Sequence, residues 1–271
     1  MSYHTEDRTL GGQRVRTGGT DTATRPGPGK DICADRAFAI PGLIGVLDGV
    51  SQTEQPDRAA DLVAMWVAAQ LVDQPLTLGL LSDTIIAATG HLEQHTGSHD
   101  PHLTATTISL AATIHHPDHG RLLLACTIGD SPVGYITDTG HITWISAPDA
   151  RHDLHGQGDN RVRSRGPLTQ ALAPGTTLEP NLWATPLPDG ASVIAASDGL
   201  LDIPRPTHQL LSLPAYPTAR GLAEAAAQAG SRDDIAIALH QPDLPYHQLA
   251  AFHQPARKQR LRTRRHRRTR H

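Results

Sequence analysis

Four times in this chain an apolar run meets an aspartate. "GLIGVLDGV" stops at Asp48-Gly49, "LLLACTIGDS" at Asp130 and "VIAASDGLLD" at Asp198-Gly199, while "GSRDDIAIAL" sets Asp233 and Asp234 just ahead of a fourth run. Runs of this length read as buried strands. A carboxylate at the end of a buried strand is costly unless it is paired, hydrogen-bonded or bound to a metal. One Asp-Gly after a strand is ordinary turn chemistry; four in one chain form a pattern. Strand ends remote in sequence can converge in space, and carboxylates gathered without Cys or His suit a hard cation such as Mg²⁺ or Mn²⁺. Two such ions close together would clamp a water for in-line attack on phosphorus. Glycine after the Asp is expected to let the backbone turn sharply and to leave its carbonyl available as a further oxygen ligand.

The elements around these acids suggest α+β. "RAFAI" and "LIGVLD", separated by Pro41-Gly42, predict a two-stranded hairpin. Apolar residues at helical spacing predict helices in "PDRAADLVAMWVAAQLV" and "LTLGLLSDTIIAATGHLEQH". Short strands follow in "TATTISLAATI", "RLLLACTIGD", "PVGYITD" and "HITWIS"; later come strands in "NLWATPL" and "ASVIAASDGLLD", a helix in "TARGLAEAAAQAG" and a last strand in "DDIAIALH". Helices covering antiparallel sheets satisfy this order. Residues 1–29, rich in Gly, Thr, Arg and Pro, are expected to be mostly disordered. The domain is placed at 30–242, with 147–174 as a long polar, flap-like loop and 243–271 as a disordered basic tail.

A length of 271 residues favours one large domain. No apolar stretch approaches the roughly 20 residues that cross a bilayer, and the N-terminal residues lack a secretory pattern, so the expected location is the cytoplasm. Cys33 and Cys126 are too few for a disulfide framework. Charge is divided unevenly. Residues 257–270 hold nine of the 24 Lys and Arg and none of the 27 acids, leaving an acidic body with a basic tail. That tail could engage nucleic acid non-specifically, but it lacks aromatics to stack on bases.

Taken as a set, "VLDGV", "TATT" with "LLLACTIGDS", "VIAASDGLLD" and "GSRDDIAI" resemble the metal-dependent protein phosphatases of the PPM family (type 2C), in a divergent bacterial form, over about Lys30 to His240. The resemblance implies a four-layer αββα sandwich of two antiparallel sheets flanked by helices. It implies a centre of two Mn²⁺ or Mg²⁺ ions, with a third held more weakly, and hydrolysis of phosphoserine or phosphothreonine on a protein substrate by a water bridging the metals. By motif, Asp48 would bridge both ions, the Gly49 carbonyl would join one, Asp198 and Asp233 would hold the other, and Asp130 would serve the third. Asp35 matches the second acid of the family's Glu-Asp pair, and Lys30 stands where the family has its phosphate-binding Arg.

The sequence departs from that pattern in four places. Ala34 replaces the Glu, Ser51-Gln52 replace a Gly-Gly, Val50 stands where many members carry a general-acid His, and Lys30 cannot offer the fork of an Arg. Two readings follow: a metal-dependent serine/threonine phosphatase, and a catalytically weak or inactive pseudophosphatase that binds phosphoproteins or a partner and is tethered to nucleic acid by its tail. Retention of the acids together favours the enzyme. The pair His91 and His95 in "HLEQH" lacks the acid placement of a zinc protease and reads as a solvated helix end. Arg161, Arg163 and Arg165 in the long loop are candidates to meet an acidic or phosphorylated substrate.

Overall fold

The computed structural model describes residues 7–10, 13–16, 19–149, 167–203 and 217–241. These residues form twelve strands and three α-helices. In chain order they are β1 (Asp7–Leu10), β2 (Gln13–Arg16), β3 (Gly19–Arg25), β4 (Arg36–Ile40), β5 (Leu43–Leu47), α1 (Pro56–Leu71), α2 (Leu78–Thr96), β6 (Ile108–His116), β7 (Gly120–Ile128), β8 (Val133–Ile136), β9 (Ile142–Trp144), β10 (Asn181–Pro186), β11 (Ser192–Ala196), α3 (Ala219–Gln228) and β12 (Ile235–Gln241).

Two five-stranded sheets carry the fold, ordered β10-β7-β6-β5-β4 and β3-β12-β11-β8-β9; β1 and β2 form a separate hairpin. Every pairing is antiparallel. Successive strand residues point to opposite faces, and β5 shows what that does. Leu43 and Leu47 enter a core with Val63 and Val67 of α1 and Ile85 and Leu92 of α2. Ile44 and Val46 instead face the other sheet, meeting Val193, Ala195 and Ala236. On the far side of the second sheet, Ile194, Ile237 and Leu239 lie under Leu222 and Ala226 of α3. The layers are therefore helices, sheet, sheet, helix, the αββα sandwich expected from the sequence. Truncating a fully buried leucine such as Leu43 would cost about 2–5 kcal/mol.

The helices start and stop for local reasons. Pro56 occupies the first turn of α1, where its missing N–H costs nothing. Thr77 caps α2 by accepting from the Leu80 amide at 3.1 Å, and Gly97 closes it in the left-handed conformation at φ 63°. Thr218 caps α3, and Asp21 of β3 accepts a second amide of that first turn, from Ala219 at 2.8 Å.

One boundary differs from expectation. Residues 19–25, assigned to a disordered leader, form β3, the edge strand paired with β12 from Gly19↔Gln241 to Arg25↔Ile235. "GTDTATR" is polar and mostly exposed, so its hydrophobic pattern is silent. Its place is secured by the backbone ladder and by Asp21. The segment after it is also pinned, because the Gly27 amide donates to Asp234 at 2.7 Å.

Of the long loop, residues 150–166, with Arg161, Arg163 and Arg165, lie outside the described residues, as does the tail from 242 onward. The rest of the loop is tied down: Leu172 pairs with Thr106, and Asp149 accepts from the Gly129 amide and the Asn181 side chain. No described helix is long and apolar enough to cross a membrane.

Candidate metal centre

Antiparallel pairing explains why acids so far apart in sequence meet. The register Arg36↔Leu47 brings Asp35, ahead of β4, and Asp48, past β5, to one edge. Ile108↔Ile128 delivers Asp130 to it, and Ala196↔Ile237 in the second sheet delivers Asp198 and Asp233. One carboxylate oxygen each from Asp48, Asp130 and Asp198 lies within 4.8 Å of the others. Lys30, Asp35, Gly49 and Asp233 line the same cavity, of about 620 Å³. The seven residues to which the resemblance gives a metal or phosphate role, Lys30, Asp35, Asp48, Gly49, Asp130, Asp198 and Asp233, thus line one space. The tight cluster joins Asp130 to Asp48 and Asp198, whereas Asp233 turns its carboxylate to Lys30, whose ammonium is 3.0 Å from Oδ1.

The backbone around Asp48 is fixed by the "TATT" segment. The Asp48 amide donates to Thr107 Oγ1 at 3.1 Å, and its carbonyl accepts from the Thr107 amide at 2.8 Å and Thr106 Oγ1 at 2.9 Å. Thr107 Oγ1 also meets Ser131 Oγ at 2.9 Å, tying the "GDS" turn to the same post.

The Asp-Gly glycines serve close approach rather than a sharp turn. Gly49 does not adopt a positive φ, but a Cβ there would stand 2.7 Å from the Pro56 carbonyl oxygen and 2.9 Å from that of Ala34. Gly199, likewise without positive φ, lies against the Asp234 carbonyl. Amide-to-carbonyl bonds from Val50 to Ala105 and from Thr107 to Asp48 flank the Gly49↔Thr106 bridge, a pattern that leaves the Gly49 carbonyl directed away from that neighbour.

The acids strain against one another electrostatically. Asp35 is 1 % exposed, and burial pushes its carboxyl up to about 7, opposed by the Ser197 hydroxyl and reinforced by Asp234 and Asp233. Burial, then the charges of Asp130 and Asp233, push Asp198 to about 7 as well. Asp48 is held well above the usual carboxylate range by burial and by Asp35, Asp198 and Asp130. Asp35 Oδ2 and Asp198 Oδ1 are buried with no hydrogen-bond partner. Groups of this kind are expensive to leave unmet. Lys30 is drawn down by burial but held above its ordinary value overall by Asp233 and Asp234. An all-oxygen donor set with two orphaned oxygens fits a divalent cation of the Mg²⁺ or Mn²⁺ class.

Two supporting residues escaped the sequence reading. Asp234, 3 % exposed, accepts the amides of Gly27 at 2.7 Å and Ala34 at 2.8 Å, stitching β12 to the segment that carries Lys30 and Asp35. Its doublet with Asp233 was visible, but nothing in the spacing separates the two roles. Arg36 donates from Nη1 to the carbonyls of Cys33 at 2.6 Å and Asp35 at 2.9 Å, while Nε and Nη2 grip Asp61 of α1. A lone Arg opening a strand gives no sequence signal for that fork.

Comparison with solved structures gives the fold a context. The PPM Ser-Thr phosphatase MsPP from Mycobacterium smegmatis, in complex with cacodylate, superposes with TM-score 0.68 at 22% identity, over 83% of this chain and 98% of that one. The chain shares the fold of the PPM phosphatases. Stp1 from Staphylococcus aureus gives TM-score 0.68 at 17% identity, over 89% of this chain and 98% of that one. The catalytic domain of the phosphatase PstP, in complex with 2 manganese ions, gives 0.67 at 22% identity, over 83% and 98%. No family model matches the sequence, and no curated protein does. At this identity the PPM likeness is one of architecture.

Proposed function

We propose that this protein is a metal-dependent serine/threonine phosphatase that hydrolyses phosphomonoesters on protein substrates. One observation carries the proposal: Asp48, Asp130 and Asp198 converge within 4.8 Å on a cavity that also holds Lys30. In this reading Asp48, the Gly49 carbonyl, Asp198 and Asp233 would hold two divalent ions, and Asp130 would serve a third. Asp35 would support the set from the wall of the same cavity. When bound, the cations would neutralise the phosphoryl oxygens and make a water acidic enough to attack phosphorus at neutral pH. Lys30 would hold a phosphate oxygen as a point charge, and Asp35, which lines the same cavity and is claimed by no ion in this reading, would take up the proton released by that water. Val50 provides no proton donor for the leaving alkoxide, so solvent in the cavity fills that role.

Two unpaired thiols, Cys33 and Cys126, suit a reducing compartment, and we place the protein in the cytoplasm. The basic residues 257–271 suit a non-specific anionic partner such as nucleic acid; salt-dependent retention on DNA that persists after their deletion would rule this out. The phosphatase reading is tested with p-nitrophenyl phosphate and a phosphoserine peptide, each with Mn²⁺, Mg²⁺ or chelator. Activity is expected only with metal and only with Asp198 intact. Turnover indifferent to both chelator and Asp198→Ala would reject the metal centre.

A further inference from the structure

Among the described residues, Lys30 is the only Lys or Arg lining the cavity, and its ammonium is committed twice, at 3.0 Å to Asp233 Oδ1 and 3.3 Å to Asp234 Oδ1. The two acids do not need it equally. Asp234 already accepts two backbone amides, one on each oxygen. Asp233 is half exposed, and its Oδ1 meets, besides Lys30, only the Asp234 amide at 2.8 Å. In the proposed function Asp233 is wanted by a cation and Lys30 by a phosphate. An ammonium 3.0 Å from Asp233 Oδ1 and a divalent cation on that carboxylate repel each other, so each weakens the other's hold on it.

We infer that Lys30 is a built-in counter-cation for Asp233: it closes the Asp233 side of the site in the metal-free protein, and it is released by a divalent cation to be captured by phosphate. The inference rests on the proposed function and adds to it a coupling between metal and phosphate that runs through one side chain. The contact can open, because half-exposed pairs of this kind are weak. It opens without stranding Asp234, which keeps both amide bonds. Lysine suits the exchange better than arginine, since a single ammonium on a four-carbon stem can swing between two acceptors where a guanidinium fork would bind one of them bidentately. Coupling of this kind is reciprocal, so phosphate should tighten the cation by the factor by which the cation tightens phosphate.

Calorimetric titration of the full chain with MnCl₂, with and without inorganic phosphate, tests this without reference to turnover. Lys30→Met keeps the stem and removes the charge. It should bind its weaker Mn²⁺ roughly tenfold more tightly than wild type in the absence of phosphate, and gain several-fold less from added phosphate. Lys30→Arg, which keeps the charge, should not show the gain. In an Asp233→Asn background Lys30→Met should have a much smaller effect on Mn²⁺ affinity, since only the longer-range repulsion remains. Melting in chelator verifies that each variant is folded. Equal or weaker Mn²⁺ binding by folded Lys30→Met overturns the counter-cation role while leaving the metal centre intact. An absence of Mn²⁺ binding by wild type and variants alike overturns both.

Discussion

Gly199 lies against the carbonyl of Asp234 so closely that a Cβ on Gly199 would overlap its oxygen. The end of β11 and the start of β12 therefore touch backbone to backbone, and Ser231 Oγ fastens the contact by donating to the Gly199 carbonyl at 2.7 Å. Gly199→Ala should lose about 3 kcal/mol in chemical denaturation, since neither partner can yield without moving a strand end. Gly90, in the middle of α2 with nothing within 4 Å of its virtual Cβ, is the control. Gly90→Ala should gain about 0.5–1 kcal/mol.

Stability of the metal-free protein should depend on pH in the sense opposite to ordinary acid denaturation. Asp35 and Asp198 both titrate near 7 in the fold against 3.8 unfolded, so the fold favours their protonated forms. Their contribution is fully present below the unfolded value and is lost as pH rises through about 7. In chelator the melting temperature should fall between pH 5 and pH 8, a range set by those directions. Saturating Mn²⁺ should reverse the slope, because the ion competes with the protons.

Asp198→Asn separates charge from shape. It should reduce metal-dependent phosphomonoester hydrolysis by roughly a thousandfold. In chelator at pH 8 the same variant should melt higher than wild type, because it removes a buried charge whose Oδ1 has no partner. A variant that melts lower under those conditions would show that the charge is compensated in the fold.

Arg36→Ala should cost about 1–2 kcal/mol and weaken Mn²⁺ binding together. The guanidinium holds the carbonyls of Cys33 and Asp35 to Asp61 of α1, and its loss releases the segment that positions Asp35. Arg36→Lys should not restore the affinity, because one ammonium cannot span three acceptors.

Ala34→Glu would place another carboxylate at the cavity wall that Ala34 lines. Mn²⁺ affinity and turnover should rise, by roughly fivefold or more. The metal-free protein should become less stable at neutral pH, since one more charge joins an already crowded set. Unchanged affinity would mean that the Asp234 bond to the Ala34 amide turns the new side chain away.

The parts of this fold legible in the sequence are those where burial writes a period. β4, β5, α1 and α2 sit within a few residues of where apolar spacing puts them, because both faces of β5 and one stripe of each helix are buried. The acids were legible because each interrupts such a run. β3 was not, since an edge strand with exposed Thr and Asp needs no apolar face and is held by hydrogen bonds that spacing cannot reveal. For the same reason Asp234 was hidden beside Asp233: the difference lies in which carboxylate meets the amides of Gly27 and Ala34, residues 207 and 200 positions away. Pairing of Lys30 with Asp233 is likewise a property of the closed fold, and a motif that assigns each residue its own ligand does not register their contact.

Six of the twelve buried apolar residues in the layer between the two sheets are alanines, Ala111, Ala125, Ala191, Ala195, Ala236 and Ala238. Asp35, Asp48 and Asp130 hang from one sheet, Asp198 and Asp233 from the other, so the thinness of that layer governs how closely the two sets of acids approach. Side chains one or two methyls larger in its middle would wedge the sheets apart and widen the gap from Asp48 to Asp198. Such changes, far from any charge, should register first as a shift in which cation is preferred, towards larger ions, before the protein loses its shape.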